Sequence, residues 1–292
     1  MLGKLFKYEF KSTVRVLGVV YLAILVCAAV FGLVARAGVM HFGVLYEIAD
    51  SADIATETPN ISQGLATTIV IFAFIYMLLI VAMFVLTAVM IISRFYKNLL
   101  QGEGYLMHTL PVPTWMLVAS KTLSALLWIV LGFAVVLLSG GLLLLTAGVW
   151  TSEWATAVWS GVHELLSQLN LSSVLTLILL IIEIVSFILM IYFCLAIGNI
   201  ANRHKIAAAF LTFVGVWIAI ALISLVAQHS LFGFLIGTGY FEGAGMSPEL
   251  TDESMRGFMR SVEIRQLIMY LAYSVLFFFG TTLTLKKRLN LE

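Results

Sequence analysis

Charge and cysteine are both scarce in this chain. Only 11% of its 292 residues are Asp, Glu, Lys or Arg, while 62% are apolar and the mean hydropathy is +1.09. Soluble domains are about 45–50% apolar, so this composition excludes an ordinary soluble domain and points to a membrane. The two cysteines, Cys27 and Cys194, lie inside apolar runs at a spacing that suits neither a disulfide framework nor a metal site, and they read as small hydrophobes. A net charge of +1 gives no argument for nucleic acid. The usual chemical signatures are missing too. There is no Gly-rich phosphate loop followed by Lys-Ser/Thr, no His-Glu-x-x-His pattern around the lone His163-Glu164 pair, and no Gly-x-Ser-x-Gly elbow. The histidines His41, His108, His163, His204 and His229 are scattered over connections on both sides of the bilayer. An enzyme within the membrane needs a nucleophile and base, or metal ligands, at one depth, and the apolar runs offer only Glu183 with serines and threonines. No catalytic residue, metal site or cofactor is expected in this chain.

What is abundant is long apolar sequence. A crossing helix needs about 20 mostly apolar residues, and six stretches qualify: 16–37, 65–92, 117–149, 174–198, 206–228 and 267–285. An even number places both ends on one side. Lys4, Lys7, Lys11 and Arg15 precede the first stretch; Arg94, Lys97 and Lys121 flank the second connection; Arg203 and Lys205 lie in the fourth; Lys286, Lys287 and Arg288 close the chain. The other side holds Arg36, Arg256, Arg260 and Arg265 among most of the acids. The positive-inside rule then predicts both termini cytoplasmic. A removable signal peptide is not expected, because residues 1–11 mix Glu9 with the lysines and no small-residue cleavage site follows 17–30.

Residues 1–15 predict an amphipathic helix on the inner leaflet in preference to a cytosolic extension of the first span, with Lys4, Lys7, Lys11 and Arg15 in one arc and Leu2, Leu5, Phe6, Phe10 and Val14 in the other. Each basic group near anionic headgroups contributes about 1 kcal/mol. On the outer side, 229–262 is the longest connection. Its Leu231–Phe241 segment is apolar, too short to cross and interrupted by Gly233, Gly237 and Gly239, which predicts a re-entrant or interfacial piece. Ser247-Pro248-Glu249 then reads as a helix start.

The most informative stretch is KNLLQGEGYLMHTLPVPTWMLVASK, Lys97 to Lys121. Helix continues to Gln101, Gly102-Glu103-Gly104 allows a bend, and Tyr105, Leu106 and Leu110 form a short apolar face beside His108 and Thr109. Pro111 ends this segment and, with Pro113, fixes an extended approach to the third span. The residues describe either a stiff inner-face elbow with a docking surface, or a helix–helix turn whose leucines pack under the spans.

With Phe95-Tyr96 in front, this stretch resembles the cytoplasmic loop of type-2 ABC transporter permeases, especially bacterial exporter subunits of peptide-antibiotic systems. The likeness lies in its Glu-Gly-x-Leu step at 103–106, its Thr-Leu-Pro-Val stop at 109–112 and Lys121 opening the third span. The resemblance implies an all-α fold of six transmembrane helices across 1–292, with an N-terminal interfacial helix, a coupling helix within 97–113 and an outer re-entrant region before the sixth span. It implies that Leu99, Leu100, Gln101, Glu103, Tyr105, Leu106, His108 and Thr109 contact an ATPase subunit. Since no ATPase domain is fused to this chain, ATP and Mg would be bound by a separate polypeptide. The implied partners are two such ATPase subunits and a second permease chain in a bacterial cytoplasmic membrane. The implied cargo is an amphipathic or hydrophobic molecule, such as a peptide antibiotic or a lipid-like compound. Arg203, His204 and Lys205 are a candidate second contact, although positive-inside anchoring accounts for them more simply.

Glu183 sits mid-span, where a charge costs at least about 2.5–3.5 kcal/mol. Thr176 and Ser186 share its helical face. These three residues read either as part of a translocation path or as a hydrogen-bonded packing cluster, and the balance leans to packing. They also support a rival function, a proton- or ion-coupled carrier centred on Glu183 that needs no ATPase. A non-transporting membrane sensor is a further alternative.

Overall fold

The computed structural model describes residues 2–52, 60–101, 112–148, 156, 159–161, 163–164, 167, 171–201, 204–237 and 252–287. Almost all of them are helical, in α1 (Leu2–Ala52), α2 (Asn60–Phe95), α3 (Thr114–Thr146), α4 (Leu171–Gly198), α5 (Lys205–Gly237) and α6 (Asp252–Lys287). No strand occurs among the described residues. Each helix contains a stretch long and apolar enough to cross a membrane: Leu5–Ala37, Thr67–Leu100, Thr114–Thr146, Ser173–Gly198, Lys205–Val226 and Arg260–Lys286. The chain is thus an all-helical, multi-pass membrane protein.

Two boundaries differ from the sequence reading. Helix α1 runs unbroken, so the amphipathic segment expected at 1–15 is the first four turns of the helix that carries the first span. Nothing between Lys11 and Leu17 forces a break. Thr13 even donates its hydroxyl to the Glu9 carbonyl at 2.9 Å, a bond made inside the helix. Likewise α5 continues through Gly237, so the start of the expected re-entrant segment extends the fifth helix. The remainder of that segment, 238–241, and the helix start expected at 247–249 lie outside the described residues.

The chain divides into two compact units, one of Met1–Ile91 with Leu123–Gln168 and one of Ile92–Thr122 with Leu169–Glu292. In the first unit, α1 and α2 are antiparallel. Phe31 packs on Phe72 and Tyr76, while Tyr21, ten residues earlier, meets Thr87. Helices α1 and α3 run parallel: Tyr21 packs edge-on against Trp128, Gly32 passes the Leu143 carbonyl, and Arg36 reaches Gly148. A Cβ at Gly32 would meet Thr146 and stand 2.7 Å from the Leu143 oxygen, so only glycine allows the two backbones this near. Gly148, with φ +72°, turns the chain out of α3. The core of the unit is Leu17, Tyr21, Ile24, Met83 and Trp128, with Phe10 stacked on Trp128 at 5.0 Å.

Hydroxyls tie this unit together. Tyr21 donates to the Trp128 carbonyl at 2.9 Å, and Thr87 donates to the Met83 carbonyl at 2.8 Å. Ser139 gives its one proton to the Val136 carbonyl at 2.8 Å, which makes Tyr76 the donor in the 2.7 Å bond between Tyr76 and Ser139. A double-mutant cycle of Tyr76→Phe and Ser139→Ala, read by reversible unfolding in detergent, is expected to give a coupling of about 0.6 kcal/mol and no more than about 1.7, the range for interhelical hydrogen bonds in membranes. Zero coupling would show that the bond contributes nothing.

In the second unit, α4 and α5 form a tight hairpin. The turn is closed by Asn199 N–H to Leu195 O at 3.0 Å and Ile200 N–H to Ile197 O at 3.0 Å, and Gly198 lies directly against Ala209. Helices α4 and α6 run parallel and in register. Thr176 meets Glu263 and Glu183 meets Tyr270, both pairs 87 positions apart, and Phe193 meets Gly280 at the same offset. The first two contacts lie seven residues apart, two helical turns, which is the repeat of coiled-coil packing. A parallel pair joined through one intervening helix requires α5 to cross in the opposite direction, as the hydropathy reading expects.

Candidate functional site

Two places carry the residues singled out by the sequence. The first is the elbow between α2 and α3. Helix α2 finishes in one π-helical turn, Tyr96–Leu100, after which Gln101 is extended at φ −107° and ψ −171°. Such wide turns are rare and recur at functional sites. The turn is anchored from within: Phe95 is fully buried and stacks on Tyr192 of α4, with ring centroids 3.9 Å apart and planes 7° from parallel. Leu99 and Leu100 are 0% and 3% exposed. These two leucines therefore behave as packing residues of the turn, and Gln101 is the exposed described member of the expected contact set. Glu103, Tyr105, Leu106, His108 and Thr109 lie outside the described residues. On the return side, the Met116 N–H bonds to the Pro113 carbonyl at 2.9 Å to start α3, and Lys121 is buried at 5% exposure. Of the candidate second contact, His204 is exposed, Lys205 is half-buried, and Arg203 lies outside the described residues.

The second place is the seam between α4 and α6. Glu183 is exposed and accepts a hydrogen bond from the Tyr270 hydroxyl at 3.0 Å on Oε1. Two turns nearer the N-terminal end of α4, Thr176 donates to Glu263 Oε1 at 3.1 Å. Ser186, one turn toward the C-terminal end of α4, is buried and donates to the Tyr270 carbonyl at 3.4 Å. The structure thus brings Glu183 and Ser186 together through one residue, Tyr270, while Thr176 belongs to a neighbouring carboxylate. Glu263 Oε2 and Ser274 Oγ are buried with no hydrogen-bond partner among the described residues.

The sequence reading missed Tyr270 and Glu263. Tyr270 carried a signal, since a phenol in the middle of a span needs a polar partner, but its partner follows only from the α4–α6 register. The seam holds acceptors and hydroxyls, suited to a proton or a cation and not to nucleophilic chemistry. No group of three His, Cys, Asp or Glu side chains able to hold a metal exists among the described residues. Comparison with protein-family models, with curated proteins and with solved structures finds no match for the chain.

Proposed function

We propose that the chain is the membrane permease subunit of an ATP-driven exporter of the type-2 ABC class, working with separate ATPase subunits and a second permease chain. In this reading it resides in a bacterial cytoplasmic membrane with both termini inside. The basic side chains on the first turns of α1 stand at the headgroups of the inner leaflet, and the outer connection before the sixth span is partly re-entrant. The cargo is amphipathic or hydrophobic.

The observation that supports the reading is the anchoring of the elbow. An ATPase that changes shape on nucleotide binding can move membrane helices only through a connection that resists bending. The connection here begins in a turn whose Phe95 is wedged against Tyr192 and whose two leucines are buried. A free loop would absorb such a displacement. This turn passes it into α2 and, through Tyr192, into α4.

Affinity purification of the full chain from its native membrane in mild detergent tests the reading. A polypeptide of separate sequence that hydrolyses ATP is expected to co-purify, and a photo-crosslinker at position 101 is expected to capture it. Labelling of Gln101→Cys from the outer side by a membrane-impermeant reagent, in a background lacking Cys27 and Cys194, would overturn the assignment. So would capture of lipid alone. The rival carrier reading draws on the Glu183–Tyr270 pair, and uptake or efflux driven by a proton gradient with no ATPase present would favour it.

A further inference from the structure

We propose that the connection between α3 and α4 lays an amphipathic helix, 153–169, on the bilayer surface, with neutral lipid as its partner. Every described residue between 151 and 170 is helical. Ser167 donates its hydroxyl to the Glu164 carbonyl at 2.8 Å, one turn back. Gly148, at φ +72°, has already turned the chain out of α3, so this helix is separate from the third span. At 100° per residue, Trp154, Val158, Val162, Leu165, Leu166 and Leu169 of the sequence fall within an arc of about 120°, with Trp159 at its margin. Glu153, Thr156, Ser160, His163, Glu164 and Ser167 fall on the opposite side. Every described member of that polar set is exposed. Trp159 is 72% exposed, so the chain itself leaves this edge of the apolar arc uncovered.

The position of the helix identifies what covers the arc. A connection between consecutive crossings is tied to one membrane surface at both ends. Here the span in α3 ends at Thr146 and the span in α4 begins at Ser173. A helix over 153–169 is about 25 Å long, and with Glu153, His163 and Glu164 it is too short and too polar to cross a hydrocarbon core of about 30 Å. Lying flat, it continues the lipid-facing surface of the two spans. The arc then enters the acyl boundary, and the indole of Trp159 at its margin stands at headgroup level, where tryptophan is enriched. Charge selects the headgroup. Interfacial helices that seek anionic lipid carry Lys and Arg on the polar face. This segment has two carboxylates, and 151–170 contains no Lys or Arg. Its attachment therefore comes from apolar area, and zwitterionic lipid is the matching surface. The inference concerns the α3–α4 connection alone and holds with or without an ATPase partner.

Spin labels on single cysteines test it, in the full chain lacking Cys27 and Cys194 and reconstituted in nanodiscs of zwitterionic lipid. Labels on Trp159→Cys, Val162→Cys and Leu166→Cys are expected to collide with lipid-soluble oxygen in preference to a water-soluble nickel chelate, at depths of about 5–10 Å into the headgroup and acyl boundary. Labels on Ser160→Cys, His163→Cys and Ser167→Cys should show the reverse preference, so that accessibility follows the helical period of 3.6 residues. Replacing the zwitterionic lipid by an anionic one at low salt should leave the depths unchanged. Equal access of the nickel chelate to all six positions would place the helix in water and overturn the proposal. Shielding of 159, 162 and 166 from both reagents would show a protein cover, from this chain or a second copy, and would overturn it too. Deeper insertion in anionic lipid would overturn the assignment of the headgroup. If the Trp159→Cys protein does not fold, 162 and 166 report the same arc.

Discussion

Alanine at position 198 is expected to destabilise the protein by about 3 kcal/mol and alanine at position 280 by about 1 kcal/mol, the upper and lower ends of the cost of overpacking. The added methyl group comes equally close to a neighbour at both positions. At Gly198 the new Cβ would stand 2.5 Å from the backbone nitrogen and Cα of Ala209. At Gly280 it would stand 2.5 Å from Cε2 of the Phe193 ring. The difference lies in what must move. A ring edge yields by rotation about two side-chain torsions, at the expense of its tilted contact with Phe277 at 5.5 Å. The backbone of Ala209 belongs to the first turns of α5, and it yields only if α5 shifts away from α4 or the turn at 199–201 opens. That turn is held by three consecutive backbone hydrogen bonds of 3.0–3.2 Å, so moving the helix loses them as well. Reversible unfolding of the two variants in the same detergent, followed by tryptophan fluorescence, checks the ranking. Equal losses would show that the α4–α5 hairpin adjusts as easily as a side chain.

The six crossings were legible because their signal is thermodynamic and one-dimensional. A run of about 20 apolar residues is the same signal in any fold, and the six described spans overlap the six expected ones throughout. Helix ends were less legible. At residues 12–18 the pattern of basic residues changes, but the backbone has no reason to stop, because Thr13 bonds to its own helix and Gly18 is a single glycine with only Val14 nearby. Amphipathicity reports which environment each side chain prefers, and a helix can pass from one environment to another without bending. The polar seam was half legible. Glu183 stood out because a charge is rare at that depth, whereas Glu263 did not, lying among Arg260, Arg265 and other polar residues at the mouth of the sixth span. Its pairing with Thr176 depends on the offset of 87 between α4 and α6, which no local pattern encodes. The elbow shows the same limit. Its composition fits a docking surface and a packed turn equally, and burial assigns Leu99 and Leu100 to the packed turn while leaving Gln101 exposed.

Removing the ring of Phe95 should separate stability from coupling. In a water-soluble core, Phe→Ala costs about 3–5 kcal/mol, of which part is the transfer of the ring out of water. Helices already inserted in a bilayer do not gain that part, since lipid is as apolar as the protein interior. What remains is the lost dispersion around the cavity, so Phe95→Ala is expected to cost about 2 kcal/mol. Phe95→Leu fills most of the space and loses chiefly the stacked geometry, about 1 kcal/mol. Both variants should fold and insert, which thermal unfolding and monodisperse elution would verify. The larger effect is mechanical. With the 3.9 Å stack on Tyr192 gone, the π-helical turn at Tyr96–Leu100 is held to α4 no longer, and the elbow can pivot. On the exporter reading, ATP-driven transport by Phe95→Ala should therefore fall by about tenfold, equivalent to 1.4 kcal/mol in the coupled step, while crosslinking to the ATPase from position 101 persists. Undiminished transport in a protein that has lost the expected stability would show that the Phe95–Tyr192 contact is packing alone, and that force enters the membrane helices by another connection.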